Sequence, residues 1–171
     1  MTELRYDDVR VGTELPALQA EPISRLTLAL YCGASGDHNP IHVDSDFARA
    51  AGRDDVFAHG MLGMAYLARL VTGWVPQCAI RALGTRFVAI THVGDRITCS
   101  GTVVEKLADR QVRVALTAQD QSGVVKLAGE AVVELAERAE RRAAPKPARI
   151  PSTEGLTLLE LQVLEVFPEV G

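Results

Sequence analysis

The sequence predicts an α+β domain in which a curved antiparallel sheet wraps around one long buried helix, followed by a C-terminal tail. Three observations support this prediction. Residues 60–75 hold a single charge and are apolar on nearly every helical face, so a helix there must be surrounded by protein. Four segments further along the chain are rich in β-branched residues and partly alternate between apolar and polar positions, as strands do. Beyond residue 136 the composition changes sharply, so the domain should end there.

The N-terminal part of the domain should hold two helices separated by an ordered loop. Ser24 is a suitable N-cap for the first helix, and Gly36 loosens the end of that helix. Pro40 lacks a backbone N–H and cannot continue the helix, so residues 36–44 should form a loop dense in polar side chains. A second, short helix should then end at Gly52.

The downstream segments predict four antiparallel strands. They span residues 78–90, 95–107, 110–120 and 124–136, and turn signals at residues 93–95, 108–110 and 121–123 separate them. Because these connections are short, we expect consecutive strands to be neighbours in the sheet. A further strand near residues 18–23 would add to the same sheet.

Composition narrows the classes of function. A chain of 171 residues fits one catalytic domain with an appendage. Its net charge of -4 offers no general attraction to nucleic acid or anionic membranes, and no stretch approaches the roughly 18 to 20 apolar residues of a membrane span. Cys32, Cys78 and Cys99 are odd in number and widely spaced, which predicts neither disulfides nor a cysteine-ligated metal and favours a cytoplasmic location.

The tail divides into two parts. Residues 137–155 are rich in Ala, Arg, Glu and Pro and are typical of a flexible tether. Residues 156–171 place several leucines and valines on one helical stripe, which favours a segment that docks on the domain or on a partner subunit. A disordered end remains the alternative for this segment.

Two polar residues in the loop are the candidate catalytic pair. Asp37 and His42 lie five residues apart in ASGDHNPIH, residues 34–42, and the bend at Asn39-Pro40 lets both side chains point into one cavity. A carboxylate beside an imidazole can transfer protons near neutral pH. The same loop also contains His38 and Asp44, but the spacing of these groups matches no common closed metal site, so we expect no metal.

Gly60 is the candidate donor to a negatively charged oxygen. As the first residue of the buried helix it has a backbone N–H that is unpaired within that helix and lies at the positive end of the helix dipole. It also carries no side chain that would keep a substrate away.

These motifs resemble those of the MaoC-like, (R)-specific enoyl hydratase family. Residues 31–42 are similar to the family signature G-D-x-N-P-[apolar]-H, and His59-Gly60-Met61 is similar to its H-G-M. Residues 87–95 resemble its F-x-x-P-V-x-V-G-D, with Thr91 where proline is commoner. The resemblance covers roughly residues 5–136, in the same order as in the family.

The resemblance implies a hot-dog fold and a hydro-lyase without a cofactor, which interconverts trans-2-enoyl and (3R)-hydroxyacyl thioesters of coenzyme A or acyl carrier protein. By matching positions, Asp37 and His42 would be the catalytic pair and the Gly60 N–H the oxyanion donor. Asn39 would orient the loop or the water, and Ser35 and His59 would support the site.

Two other functions remain open at this point. A thioesterase could use the same fold with Asp37 activating water against the carbonyl carbon, although the Asp-x-Asn-Pro-x-His spacing argues against it. A structural subunit of a heteromeric dehydratase would not require Asp37 and His42. An exposed sheet edge on so small a domain favours a homodimer, or a heterodimer with a related hot-dog subunit.

Overall fold

A computed structural model describes residues 4–136 of the chain. Within this range the helices are α1 (Arg25–Ser35), α2 (Ser45–Ala50) and α3 (Gly60–Thr72), and the strands are β1 (Leu18–Gln19), β2 (Ile80–Phe87), β3 (Thr98–Lys106), β4 (Gln111–Gln119) and β5 (Val125–Glu134). Short 3-10 turns occupy Tyr6–Asp8, Pro40–His42 and Gln77–Ala79. The predicted tether and docking segment, residues 137–155 and 156–171, lie outside the described residues.

The predicted helix boundaries are confirmed by the capping contacts. The Ser24 hydroxyl oxygen accepts a hydrogen bond from the backbone N–H of Thr27 at 3.0 Å, which satisfies one of the free donors of the first turn of α1. Gly36 ends α1 with a φ of 74°, in the left-handed region that favours glycine. At the start of α2, the Asp44 carboxylate accepts from two backbone N–H groups of the first turn.

The sheet is antiparallel, with the strand order β1-β3-β4-β5-β2. The predicted neighbours β3–β4 and β4–β5 are confirmed, and the strand expected near residues 18–23 exists as the short β1. The expected pairing of β2 with β3 is wrong, because β2 pairs with β5 at the opposite edge. Residues 88–97, which connect β2 to β3, are too many for a tight hairpin turn and allow the chain to change edges.

The hydrophobic core lies between α3 and the sheet, since α3 contacts all five strands. The helix residues that point into this core are Leu62, Gly63, Tyr66, Leu67, Leu70 and Val71. A Cβ on Gly63 would lie 2.6 Å from Leu127 Cδ1, so glycine allows the helix to approach β5 closely. This arrangement is the hot-dog fold expected from the motifs.

One end of α3 is less covered than its sequence predicts. Met61 is 52% exposed, and at the nearby end of the edge strand Phe87 is 57% exposed. Among residues 4–136, no helix has the length and apolar character needed to cross a bilayer.

Candidate active site

The polar loop after α1 is shaped by its own side chains. The Ser35 hydroxyl accepts from the backbone N–H of Asp37 at 3.2 Å, and the Asp37 carboxylate accepts from the N–H of Asn39 at 3.3 Å. The Asn39 side-chain oxygen then accepts from the N–H of Ile41 at 3.2 Å and caps the turn Pro40–His42. These consecutive turns are typical of Asp, Asn and Ser, and they direct Asp37 and His42 toward the start of α3.

His42 is nearly buried, and one of its ring nitrogens is already occupied. Its Nδ1 lies 2.8 Å from the carbonyl oxygen of Phe57. A carbonyl can only accept a hydrogen bond, so Nδ1 carries a proton, and Nε2 is the nitrogen that holds the lone pair whenever the ring is neutral. The Phe57 ring also packs edge-on against the imidazole, with the centroids 4.9 Å apart. His42 is therefore held in one tautomer and one orientation, with a free basic nitrogen.

His59 lies directly behind the pair. Its side chain is 1% exposed, and its Nε2 donates to the backbone carbonyl oxygen of Asp37 at 3.2 Å. The His59 ring stacks on the His42 ring with the centroids 4.0 Å apart, and the Tyr31 ring packs against the His59 ring with the centroids 5.0 Å apart. Burial, and secondarily the nearby His42, lower the pKa of His59, so this imidazole is neutral at physiological pH.

The structure brings together three of the residues singled out in the sequence. One acid or imidazole atom from each of Asp37, His42 and His59 lies within 4.8 Å of the other two, with Asp37 exposed and both histidines buried. Ser35 and Asn39 lie beside this group, where their side chains shape the loop through local hydrogen bonds. A substrate can therefore reach the carboxylate from solvent while the imidazoles form the floor of the site.

Asp37, His42 and His59 are also of the residue types that ligate metal ions. Nδ1 of His42 and Nε2 of His59 are already engaged by carbonyl oxygens. The two rings are stacked with 29° between their planes, whereas the ligands of a structural zinc ion surround it tetrahedrally. The arrangement fits a proton-transfer site better than a metal centre.

Gly60 follows His59 and opens α3, as predicted. Among the residues that the structure describes, its backbone N–H has no hydrogen-bond acceptor. The side of Gly60 where a Cβ would lie is covered by the Phe87 ring, 2.9 Å from the ideal Cβ position. Glycine thus allows the close contact with Phe87, a reason that the sequence alone did not reveal.

An apolar cavity of about 270 Å³ opens next to Gly60. Its lining residues come from the segment before α3, from the end of β2 with the following connection, and from β5: Phe57, Ala58, Gly60, Phe87, Val88, Ala89, Ile90, Thr91 and Leu127. Phe57 therefore belongs both to the polar site and to the cavity. Its carbonyl oxygen orients His42, and the residue also lines the cavity. The proton-transfer groups and an apolar binding space meet at this residue.

A larger cavity, of about 540 Å³, lies near the other end of α3. Arg81 and Arg110 in its wall form ion pairs with Glu134, and the cavity shares no residue with the polar loop or with Gly60. Its size alone does not make it a catalytic site, because its lining residues do not include a carboxylate next to an imidazole.

Sequence reasoning missed several residues around the site. The Phe57 carbonyl could not be identified, since a backbone acceptor leaves no trace in the sequence. Lys126, which is 5% exposed, did leave a signal: it is a charged residue between the apolar positions of a strand, in VVKLAGEAVV. Such an interruption of an apolar run indicates a buried partner.

Comparison with known proteins identifies the family of the chain. The MaoC like domain family matches residues 8–124. The (R)-specific enoyl-CoA hydratase of Rhodospirillum rubrum is 28% identical over 130 residues, which cover 75% of this chain and 89% of that protein. A Mycobacterium tuberculosis protein, the 3-oxo-4,17-pregnadiene-20-carboxyl-CoA hydratase beta subunit, is 32% identical over 96 residues, or 54% of this chain and 72% of the relative.

A solved structure shows that this similarity extends to the fold. The unliganded R-hydratase of Pseudomonas aeruginosa superposes with a TM-score of 0.71 and 28% identity, covering 80% of this chain and 88% of its own. The family match spans both the polar loop that carries Asp37 and His42 and the helix that begins at Gly60. By sequence and by fold, the chain belongs to the MaoC-like domain family.

Proposed function

We propose that this protein is a hydro-lyase that adds water reversibly across the 2,3 double bond of a trans-2-enoyl thioester and forms the (3R)-hydroxyacyl thioester. The observation that carries the proposal is the meeting of Asp37 and His42 beside an apolar cavity, next to the free N–H of Gly60. Relatives named (R)-specific enoyl-CoA hydratases support the same reaction class.

The hydrogen bonds of the site support a role for each group. Nε2 of His42 carries the lone pair, so it accepts a proton from water while the water oxygen bonds to C3. The Asp37 carboxylate accepts the second hydrogen bond of that water and offsets the positive charge that forms on the imidazole. Negative charge then moves to the thioester oxygen, where the Gly60 N–H stabilises it at the positive end of the α3 dipole.

The reaction is completed when the proton held by His42 is transferred to C2 of the substrate. One water is then added in total, with its hydroxyl on C3 and its proton on C2, and neither side chain is changed. The same steps in reverse describe dehydration. No cofactor is needed, because every step is a proton transfer or an addition to a polarised double bond.

The substrate would lie with its apolar chain in the 270 Å³ cavity and its carrier toward solvent. Ligand cavities are lined mostly by apolar groups with a few placed polar ones, and this cavity has that character. The carrier is coenzyme A or acyl carrier protein in this proposal.

The cysteines at 32, 78 and 99 are free thiols, which supports a reducing compartment such as the cytoplasm.

The decisive experiment replaces the two proton-transfer groups in the full-length protein. Asp37→Asn keeps an oxygen that can accept from the Asn39 N–H, and His42→Ala removes the basic nitrogen. We expect each variant to lose about a thousandfold or more in kcat/KM for enoyl-CoA hydration, because general acid-base catalysis and water positioning fail together. Hydration is followed by loss of the enoyl absorbance, and chiral analysis identifies the product.

His92→Ala is the matched control, since the His92 side chain is exposed and lies outside the polar loop, while the backbone contacts of His92 with Phe57 and Asp95 stay in place, and it should retain activity. Circular dichroism verifies that each variant is folded. Wild-type-like turnover by folded Asp37→Asn and His42→Ala would contradict the proposed roles. Release of free thiol without loss of the enoyl chromophore would instead indicate the thioesterase.

We also propose that the protein functions as a dimer. β2 is an edge strand with an exposed outer side, and Phe87 and Val88 at its end are 57% and 58% exposed. Pairing this edge with a second subunit would satisfy its backbone groups. The mycobacterial relative is named as a beta subunit, so a heterodimer is the alternative to a homodimer, and light scattering on the purified chain separates the two.

A further inference from the structure

A buried cluster of three charged side chains lies behind the apolar cavity. Lys126 on β5 is 5% exposed, and its ammonium contacts the carboxylates of Asp95 at 3.1 Å and Asp120 at 3.0 Å. Its third contact is the backbone carbonyl of Ile90 at 3.0 Å. An ammonium has three hydrogen-bond donors, so all the donors of Lys126 are used and each is directed at a different part of the chain.

Stability alone does not explain this cluster. Burying charged groups carries a desolvation penalty that often equals or exceeds the attraction between them, and apolar residues of similar volume are frequently as stabilising. Burial lowers the pKa of Lys126, but the hydrogen bonds that its ammonium donates to the carboxylates of Asp120 and Asp95 raise the pKa by more, so the net shift is upward. The ammonium therefore stays charged, and its contacts are directional in a way that apolar packing is not.

The cluster fixes the outer wall of the cavity. Besides the contact with Ile90, the backbone carbonyl of Lys126 accepts hydrogen bonds from the N–H groups of Val88 at 2.8 Å and Ala89 at 3.2 Å. Asp95 holds the far end of the same connection, because its carboxylate accepts from the N–H of His92 at 2.8 Å. The connection that lines the cavity is thus held by the side chain and the main chain of one residue.

The wall is joined to the catalytic side of the cavity. The carbonyl of Thr91 accepts from the N–H of Ala58 at 2.9 Å, and Phe57 pairs with His92 in an isolated antiparallel bridge. Phe57 in turn orients His42. The position of residues 88–92 therefore determines both the width of the cavity and the distance between its wall and the proton-transfer groups.

We propose that Lys126 is a positioning residue that restricts the enzyme to short acyl chains, by holding residues 88–92 as a rigid wall of the cavity. This inference rests on the proposed function, since it assigns the cavity to the acyl chain. Its volume of about 270 Å³ lies just below the roughly 300–1,000 Å³ of cavities that hold drug-sized ligands. Residues 88–90 are held by three hydrogen bonds with the side chain and main chain of Lys126, which oppose the widening that a longer chain would need.

The test compares two variants of the full-length chain. Lys126→Met removes the ammonium but leaves Asp95 and Asp120 buried without a counter-charge, which is destabilising. The triple variant Lys126→Met/Asp95→Asn/Asp120→Asn removes all three charges and keeps the side-chain oxygens that accept from the backbone, so it decides the question if the single variant does not fold.

Lys106→Met is the matched control. Lys106 on β3 is a part-buried lysine whose ammonium donates to the carbonyl oxygens of Tyr6 and Val9, and none of these residues lines the cavity. The control therefore removes a comparable set of lysine contacts without touching the wall.

The measurement is kcat/KM for trans-2-enoyl-CoAs of increasing chain length. A matched apolar pocket discriminates by about 10- to 200-fold per methylene, so we expect the ratio of long-chain to short-chain kcat/KM to rise about tenfold or more in the Lys126 variants. Lys106→Met should keep the wild-type ratio even if less of it is folded.

A parallel loss at every chain length, with the ratio unchanged in the folded triple variant, would overturn the inference and leave Lys126 a purely structural residue. Failure of the proposed function is a different result, because the wild-type protein would then hydrate none of the enoyl-CoAs.

Discussion

Gly60→Ala separates the chemical role of the start of α3 from its structural role. An ideal Cβ at this position would lie 2.9 Å, 3.0 Å and 3.3 Å from three carbons of the Phe87 ring. Carbon atoms pack best at about 3.5–4.0 Å, so the ring must retreat by about 1 Å. Phe87 is 57% exposed and can turn toward solvent, which keeps the expected loss of stability within about 1 kcal/mol.

Activity should respond far more strongly than stability. The new methyl group enters the space beside the proposed oxyanion donor, and the displaced ring is a wall of the acyl cavity. A displacement of about 1 Å in a positioned site costs about a hundredfold in rate, equivalent to roughly 2.7 kcal/mol of transition-state stabilisation. We therefore expect kcat/KM for enoyl-CoA hydration to fall by about a hundredfold.

Gly33→Ala is the control, because nothing lies within 4 Å of its ideal Cβ in α1, and it should leave kcat/KM unchanged. Urea unfolding measures the stability of both variants. If Gly60→Ala turned over enoyl-CoA at the wild-type rate, neither the Gly60 amide nor the Phe87 wall would contact the substrate, and the assignment of the cavity would be wrong.

Two further predictions concern stability. The pKa of His59 is lowered in the folded protein, so the unfolded chain binds more protons at this residue as the pH falls through the ordinary histidine pKa of about 6.5. The stability contributed by neutral His59 is therefore present above this pH and is lost below it. In urea unfolding, the free energy of unfolding of His59→Gln should lack this part of the pH dependence. If the free energies of unfolding of variant and wild type changed equally with pH, a neutral buried His59 would be contradicted. Gly129→Ala places a Cβ 2.1 Å from the backbone oxygen of Gly84, which forces β2 and β5 apart and should cost about 3 kcal/mol or more. A melting temperature equal to that of the wild type would show that the two strands can separate freely.

Local signals in the sequence predicted the elements that carry the site. Ser24 and Gly36 mark the ends of α1 because capping depends on a residue's own side chain or backbone freedom. The Asn39-Pro40 pair predicts the turn that follows, since a proline restricts the backbone of the residue before it to extended conformations. The meeting of Asp37 with His42 could be expected for the same reason, because the bend that joins them is encoded within a few residues.

Other features depend on contacts between distant parts of the chain and could not be predicted. The pairing of β2 with β5 follows from how residues 88–97 cross the fold, and no local pattern determines that path. Whether a histidine is neutral is likewise set by its surroundings: His59 is buried by Tyr31 and His42, which lie far from it in sequence. The sequence identified His59 as a supporting residue but gave no information on its protonation.

The hydrogen-bond partner of His42 favours a catalytic chain over a structural subunit. In many proton-transfer sites a buried carboxylate stands behind the imidazole, but here the partner of Nδ1 is the neutral carbonyl of Phe57. A carbonyl fixes the tautomer without contributing a full negative charge, so the positive charge that the proposed mechanism places on His42 must be balanced from the other side of the ring. Asp37 is the carboxylate within reach, and neutral His59 adds no competing charge. A subunit that only supported a partner would have no use for a histidine held in one tautomer with its basic nitrogen free, and the retention of Asp37 at that position is what gives the nitrogen its proposed function.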